Sequence, residues 1–114
     1  LIDRDRLVER AEALGARIRA HLVPLLSVAG SGPLVGDVRG MGAMIAIELV
    51  SDRATRDPAT IQSVLDIIER CLQRGLIIMR AGLYANCIRL LVPLTLSDEQ
   101  LDEGMEILVE ELGG

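Results

Sequence analysis

Hydrophobic spacing along this chain switches between two periods, and the order of the switches restricts the fold more than any single residue does. From about residue 5 to residue 22 the apolar positions Leu7, Ala11, Leu14, Ile18 and Leu22 recur at intervals of three and four, one face of a helix. Over 34–39 and 43–50 the spacing falls to two, with Ile45, Ile47 and Leu49 alternating with Ala46 and Glu48. Helical spacing returns at Ile61, Val64, Leu65, Ile68 and Leu72. Short strand-like runs follow at 76–79 and 87–92, and Leu101, Met105, Leu108 and Leu112 mark a last helix. The order αββαββα, with no internal repeat, predicts an α+β fold: a two-layer sandwich of a small, mostly antiparallel sheet of about four strands packed on helices.

Local signals punctuate this order. Pro24 ends or kinks the first helix at Val23, because it lacks an amide hydrogen and disfavours helical geometry before it. Ala29-Gly30-Ser31-Gly32-Pro33 reads as a loop. Gly40 and Gly42 mark the turn between the first two strands, where glycine permits positive φ or close approach of another backbone. That Gly-x-Gly has no third glycine in register and opens no helix, so it does not predict a phosphate cradle. Asp57-Pro58 is expected to be the N-cap and first position of the second helix, and Arg74-Gly75 its stop. Residues 80–86 read as a loop whose Tyr84, the chain's one aromatic residue, is either a loop anchor, the role the sequence favours, or a site-lining ring. Pro93 stops the last strand, and Ser97 with Gln100 has capping-box spacing.

The 114 residues make one small domain. Half are hydrophobic and the mean hydropathy is +0.38, yet no apolar run approaches a membrane span, so the surplus apolar surface is expected to meet more protein. The opening segment has neither the basic start nor the cleavage site of a secretory leader, and the chain reads as a piece of a longer cytoplasmic protein. A net charge of -5, with acids concentrated between 98 and 111, argues against nucleic acid and anionic membrane as partners. Glu103, Glu106, Glu110 and Glu111 are expected to form a solvated helix face. Cys71 and Cys87 fall in different elements without CxxC spacing and read as reduced core residues. His21 is the single histidine, which excludes a histidine-rich metal cluster; it is expected on a helix surface.

One residue breaks the apolar pattern. In Asn86-Cys87-Ile88-Arg89-Leu90-Leu91-Val92, alternation puts Arg89 on one face with Cys87 and Leu91. A guanidinium with apolar neighbours needs an anionic partner or must reach water, because burying it unpaired is costly. Two readings follow: an arginine at a sheet edge or in a structural ion pair, or a receptor for a carboxylate.

Three stretches carry a resemblance to a known family. Val35-Gly36-Asp37-Val38-Arg39-Gly40-Met41-Gly42-Ala43-Met44-Ile45-Ala46-Ile47-Glu48-Leu49, Arg74-Gly75-Leu76-Ile77 and Asn86-Cys87-Ile88-Arg89-Leu90-Leu91-Val92-Pro93-Leu94-Thr95 resemble, in order and spacing, the small C-terminal domain of class III pyridoxal-phosphate-dependent aminotransferases, nearest to the 4-aminobutyrate group. The resemblance implies that residues 1–114 are the small domain of a fold-type I enzyme whose large cofactor-binding domain lies outside them. It implies transfer of an amino group from 4-aminobutyrate to 2-oxoglutarate, with Arg89 binding a substrate carboxylate. Arg39 is the other candidate anion ligand; it reads as a structural residue beside the Gly40 turn, and the resemblance gives it no substrate contact. All twelve basic residues are arginine, so the lysine that holds the cofactor would lie elsewhere. The 114 residues are therefore expected to hold no catalytic residue, to bind no pyridoxal phosphate by themselves and to be inactive alone. The implied partners are amino acid and 2-oxo acid substrates, the large domain and a homo-oligomer. Alternatives are another ω-amino acid or ornithine-type member of the family, or a stand-alone module for carboxylate binding or oligomerisation.

Overall fold

The computed structural model describes residues 4–29, 33–75, 80–84 and 86–113. Helix α1 spans Arg4–Leu22 and tightens at Pro24 into a 3-10 turn, Val23–Ser27, so the proline changes the helix type rather than stopping the chain's helical path. Strands β1 (Leu34–Met41) and β2 (Met44–Asp52) form a hairpin, and a two-residue strand β3 (Asp57–Pro58) pairs back on β2. Helix α2 follows at Ile61–Gln73, then β4 (Arg80–Tyr84), β5 (Cys87–Leu91) and helix α3 (Asp98–Glu111). All pairings are antiparallel in the order β1-β2-β5-β4, and the predicted α+β sandwich is the observed fold.

The sheet has one covered and one open face. Ile45, Ile47, Leu49, Ile88 and Leu90 point inward and meet Leu14, Ile18, Val64, Leu101 and Met105 from the three helices in a single core cluster. Met44 and Leu91, one residue out of phase, are 58% and 47% exposed on the other side. A bulge between Val35 and Asp37 adds one residue, Gly36, to β1. Val35 and Val38 thereby both face the core, and Arg39 is turned to the open face; unbroken alternation from Val35 would have sent Arg39 inward.

Two local readings need correction. Asp57-Pro58 pairs with β2, and the N-cap of α2 is Thr60, whose hydroxyl accepts from the Ser63 amide. The apolar strand expected at 76–79 lies outside the described residues, whereas 80–84, read as loop, is strand β4. Tertiary pairing overrode its Arg-Ala-Gly composition: β4 runs beside β5 through five paired positions, from Arg80 opposite Leu91 to Tyr84 opposite Cys87. The capping box at Ser97 and Gln100 is present in full. Helix α1 is docked closely on the hairpin: a Cβ on Gly15 would stand 2.0 Å from the Gly42 carbonyl oxygen, and Gly42 itself has φ of 58°.

Candidate functional site

Strand β5 is fixed in register at both ends. The Asn86 side-chain amide donates to the Leu49 carbonyl at 2.8 Å while the Leu49 amide donates to the Asn86 carbonyl at 2.9 Å. Beyond the other end the Val92 amide donates to the Ala43 carbonyl at 3.2 Å, after which Pro93 has no amide hydrogen to continue. This register sets Arg89 opposite Ala46 on β2 and Gly82 on β4, and sets Ala46 opposite Arg39 on β1. One row across the open face therefore reads Arg39, Ala46, Arg89, Gly82. Directly opposed residues of antiparallel strands project to the same side, so both arginines stand on the open face with a methyl group between them.

Between them lies a cleft of about 190 Å³ lined by Arg39, Gly40, Met44, Ile45, Ala46 and Arg89. Arg89 is exposed, which removes the burial problem posed by its apolar strand. Gly40 is required for shape: a Cβ there would lie 2.2 Å from the Met44 carbonyl oxygen. Arg39 does have the structural partners expected of it, since Nη1 lies 3.3 Å from Asp37 Oδ2 and 3.5 Å from Glu48 Oε2, and Nη2 lies 3.7 Å from Cys87 Sγ. It is also a wall of the Arg89 cleft, which the sequence reading missed. The only signal was Gly36, whose bulge reverses the facing of Arg39. The Tyr84 backbone sits on β4; its ring lies outside the described side chains.

Other sequence candidates fall elsewhere. Cys71 and Cys87 are both reduced and buried, as expected. Burial, reinforced by the Glu111 charge, pushes the Cys71 thiol up to about 11. His21 is half-buried rather than on an open helix surface, with Nε2 2.9 Å from Asp102 Oδ1. The acidic face of α3 is only partly solvated, because Glu111 pairs with Arg70 (2.6 Å) and Arg74 (3.2 Å), and Glu110 with Arg74. Among the described residues no group of three or more histidine, cysteine or carboxylate side chains is placed to hold a metal, and no helix is long and apolar enough to cross a membrane.

A family model for class III aminotransferases matches residues 1–112. The chain belongs to the class III aminotransferase family. Curated members similar to it include a 5-aminovalerate aminotransferase of Pseudomonas aeruginosa, 39% identical over 110 residues, covering 96% of this chain and 25% of that protein. A 4-aminobutyrate aminotransferase of Escherichia coli is 39% identical over 108 residues (95% and 24%), and one of Mycobacterium leprae is 42% identical over 113 residues (98% and 24%). The chain thus spans about a quarter of the length of these relatives. Among solved structures, an aminotransferase of Bacillus anthracis superposes with a TM-score of 0.79 at 27% identity, covering 95% of this chain and 24% of that one. The PMP-bound form of an aminotransferase from Vibrio fluvialis gives 0.78 at 27%, covering 96% and 23%. Class III aminotransferases depend on pyridoxal phosphate.

Proposed function

We propose that this chain is the substrate-selecting wall of a pyridoxal-phosphate-dependent aminotransferase that moves the amino group of 4-aminobutyrate to 2-oxoglutarate, giving succinate semialdehyde and glutamate, and that Arg89 receives a carboxylate of the dicarboxylic substrate. The observation that carries this reading is Arg89 itself: exposed on the open sheet face, flanked by Ala46 and Gly82, and lining a cleft. A planar guanidinium suits two-point recognition of a carboxylate, which a lysine ammonium does not offer. At about 190 Å³ the cleft is smaller than the roughly 300–1,000 Å³ of complete small-molecule sites, in keeping with one end of a substrate being held here and the rest elsewhere.

The residues of this cleft do not suit the cofactor. No lysine occurs among the 114 residues to anchor pyridoxal phosphate, so we assign its covalent anchor and phosphate contacts to a large domain outside them. When bound, the cofactor supplies an electron sink for the reacting amine carbon. The part played by this chain is then binding and orientation: Arg89 fixes the carboxylate that 2-oxoglutarate has and 4-aminobutyrate lacks, and the rigid sheet beneath it sets where the reacting carbon points. The complete enzyme is read as a cytoplasmic homo-oligomer.

A charge-assisted pair of this kind contributes about 1.5–3 kcal/mol, which corresponds to roughly ten- to a hundredfold in affinity. In the complete enzyme Arg89→Lys is expected to raise KM for 2-oxoglutarate by about tenfold or more while moving KM for 4-aminobutyrate far less. Equal losses for both substrates would overturn the assignment. A second donor is favoured by a specific similarity, since a relative at 39% identity is named for 5-aminovalerate. The Arg89 cleft reads a carboxylate rather than the length of the amine, so comparing kcat/KM for 4-aminobutyrate and 5-aminovalerate decides between the two donors.

A further inference from the structure

We propose that Arg39 is a second carboxylate-binding and specificity-determining residue of the same cleft, which leaves Asp37 and Glu48 to close on the substrate carboxylate held by Arg89. The inference rests on the reading of Arg89 as the carboxylate receptor and extends it to a paired-arginine cradle.

Three observations carry it. First, Arg39 and Arg89 occupy one row on one face, separated by the single strand bearing Ala46, so their Cα atoms stand roughly 10 Å apart at ordinary strand spacing. Two long side chains can converge across that span onto one small anion, and the alanine between them leaves the space open. Both line the cleft.

Second, the present partners of Arg39 hold it loosely. Its Nη1 is shared between Asp37 at 3.3 Å and Glu48 at 3.5 Å, both longer than the roughly 2.7–2.9 Å of a strong charge-assisted pair. The Arg39 side chain is 53% exposed, and ion pairs this exposed contribute little to stability, so exchanging them for a substrate carboxylate costs little.

Third, Glu48 does not need Arg39. Its Oε1 accepts from Arg56 Nη2 at 2.8 Å, so the carboxylate, only 18% exposed, remains paired when Arg39 moves away. Asp37 likewise keeps the hydrogen bond it accepts from the Val38 amide at 2.9 Å. Glu48 therefore acts as a competitor for Arg39: it occupies the guanidinium when the cleft holds no dicarboxylate and yields it when one enters.

The test uses the complete enzyme and glutarate as an unreactive dicarboxylate probe, with Kd measured by calorimetry for the parent and for Arg39→Gln, Arg89→Gln, the double variant and Glu48→Gln. Arg39→Gln is expected to weaken glutarate by about tenfold. Glu48→Gln is expected to tighten it by about threefold or more, because it removes the competing carboxylate. The double variant is expected to bind less than about tenfold more weakly than Arg89→Gln, since both arginines serve one carboxylate and their losses do not add. Arg39→Lys is expected to recover part of the affinity.

A purely structural Arg39 predicts the opposite for Glu48→Gln, namely weaker binding together with a lower melting temperature, and that result overturns the proposal. Glutarate affinity unchanged in Arg39→Gln, with Arg89→Gln weakened, also overturns it while leaving the Arg89 reading in place. Unchanged affinity in Arg89→Gln means that the underlying reading has failed. If Arg39→Gln does not fold, the sign of the Glu48→Gln effect decides.

Discussion

Among the arginines, sequence position alone separates few roles. Arg89 was legible as an anomaly, because a cation interrupts an apolar period-two run, but which face it uses depends on where the helices pack, and a strand pattern does not carry that information. The facing of Arg39 was not legible, because a one-residue bulge at Gly36 inverts it. Arg53 gave no signal at all, lying in a polar connector. In the structure it is a fastener: Nε donates to the Val35 carbonyl at 3.0 Å, Nη2 to the Leu25 carbonyl at 2.8 Å and Nη1 to the Val28 carbonyl. It thus ties the 3-10 turn and the start of β1 to the end of β2. Arg53→Ala leaves all three carbonyls without that donor and is expected to destabilise the chain by about 2–3 kcal/mol, read as a lower urea midpoint; a change below about 0.5 kcal/mol would contradict the role.

Helices α1 and α3 are joined by a charged seam on the side of the molecule away from the open sheet face. Asp102 on α3 accepts from Arg17 Nε at 2.9 Å and Nη2 at 2.6 Å and lies 2.9 Å from His21 Nε2, while Asp98 pairs with Arg10 at 3.0 Å. Hydrogen bonds from Arg17 and then His21 hold the Asp102 carboxyl well below the usual carboxylate range. A folded-state pKa below the unfolded value means that the folded state binds fewer protons. The contribution is therefore complete above the ordinary carboxylate pKa of about 4 and is lost progressively as pH falls from there towards the lowered value. Asp102→Asn is expected to be less stable than the parent at pH 7 and to lose less stability between about pH 4 and pH 2; parallel midpoint-against-pH curves would contradict this. The helices were legible from apolar spacing and caps, as at Ser97, whereas a seam between residues some 80 positions apart in sequence was not. The strand at 80–84 was hidden for a related reason, since its pairing with β5 rather than its own composition makes it a strand.

Over the whole molecule, one core binds all three helices to one face of the sheet, which is why the order of periods sufficed to predict the α+β sandwich. The surplus hydropathy noted in the sequence has a location. Val8, Met44 and Leu91 are 52%, 58% and 47% exposed and border an apolar groove of about 450 Å³ between α1, the hairpin turn and the end of β5. Met44 lines this groove and the Arg89 cleft alike, so whatever covers the groove also borders that cleft. The 114-residue chain by itself is expected to self-associate through this surface and to lose that tendency on replacing Met44 and Leu91 with glutamine; a monomer in sedimentation velocity at high concentration would contradict it. The proposed role of Arg89 is tested most directly by resolving the two half-reactions of the complete enzyme by stopped-flow spectroscopy for the parent and Arg89→Lys. The predicted result is a half-reaction with 2-oxoglutarate slowed by about tenfold or more at subsaturating substrate, with the half-reaction of 4-aminobutyrate changed by less than about threefold. Equal slowing of both, or no change in either, would contradict it.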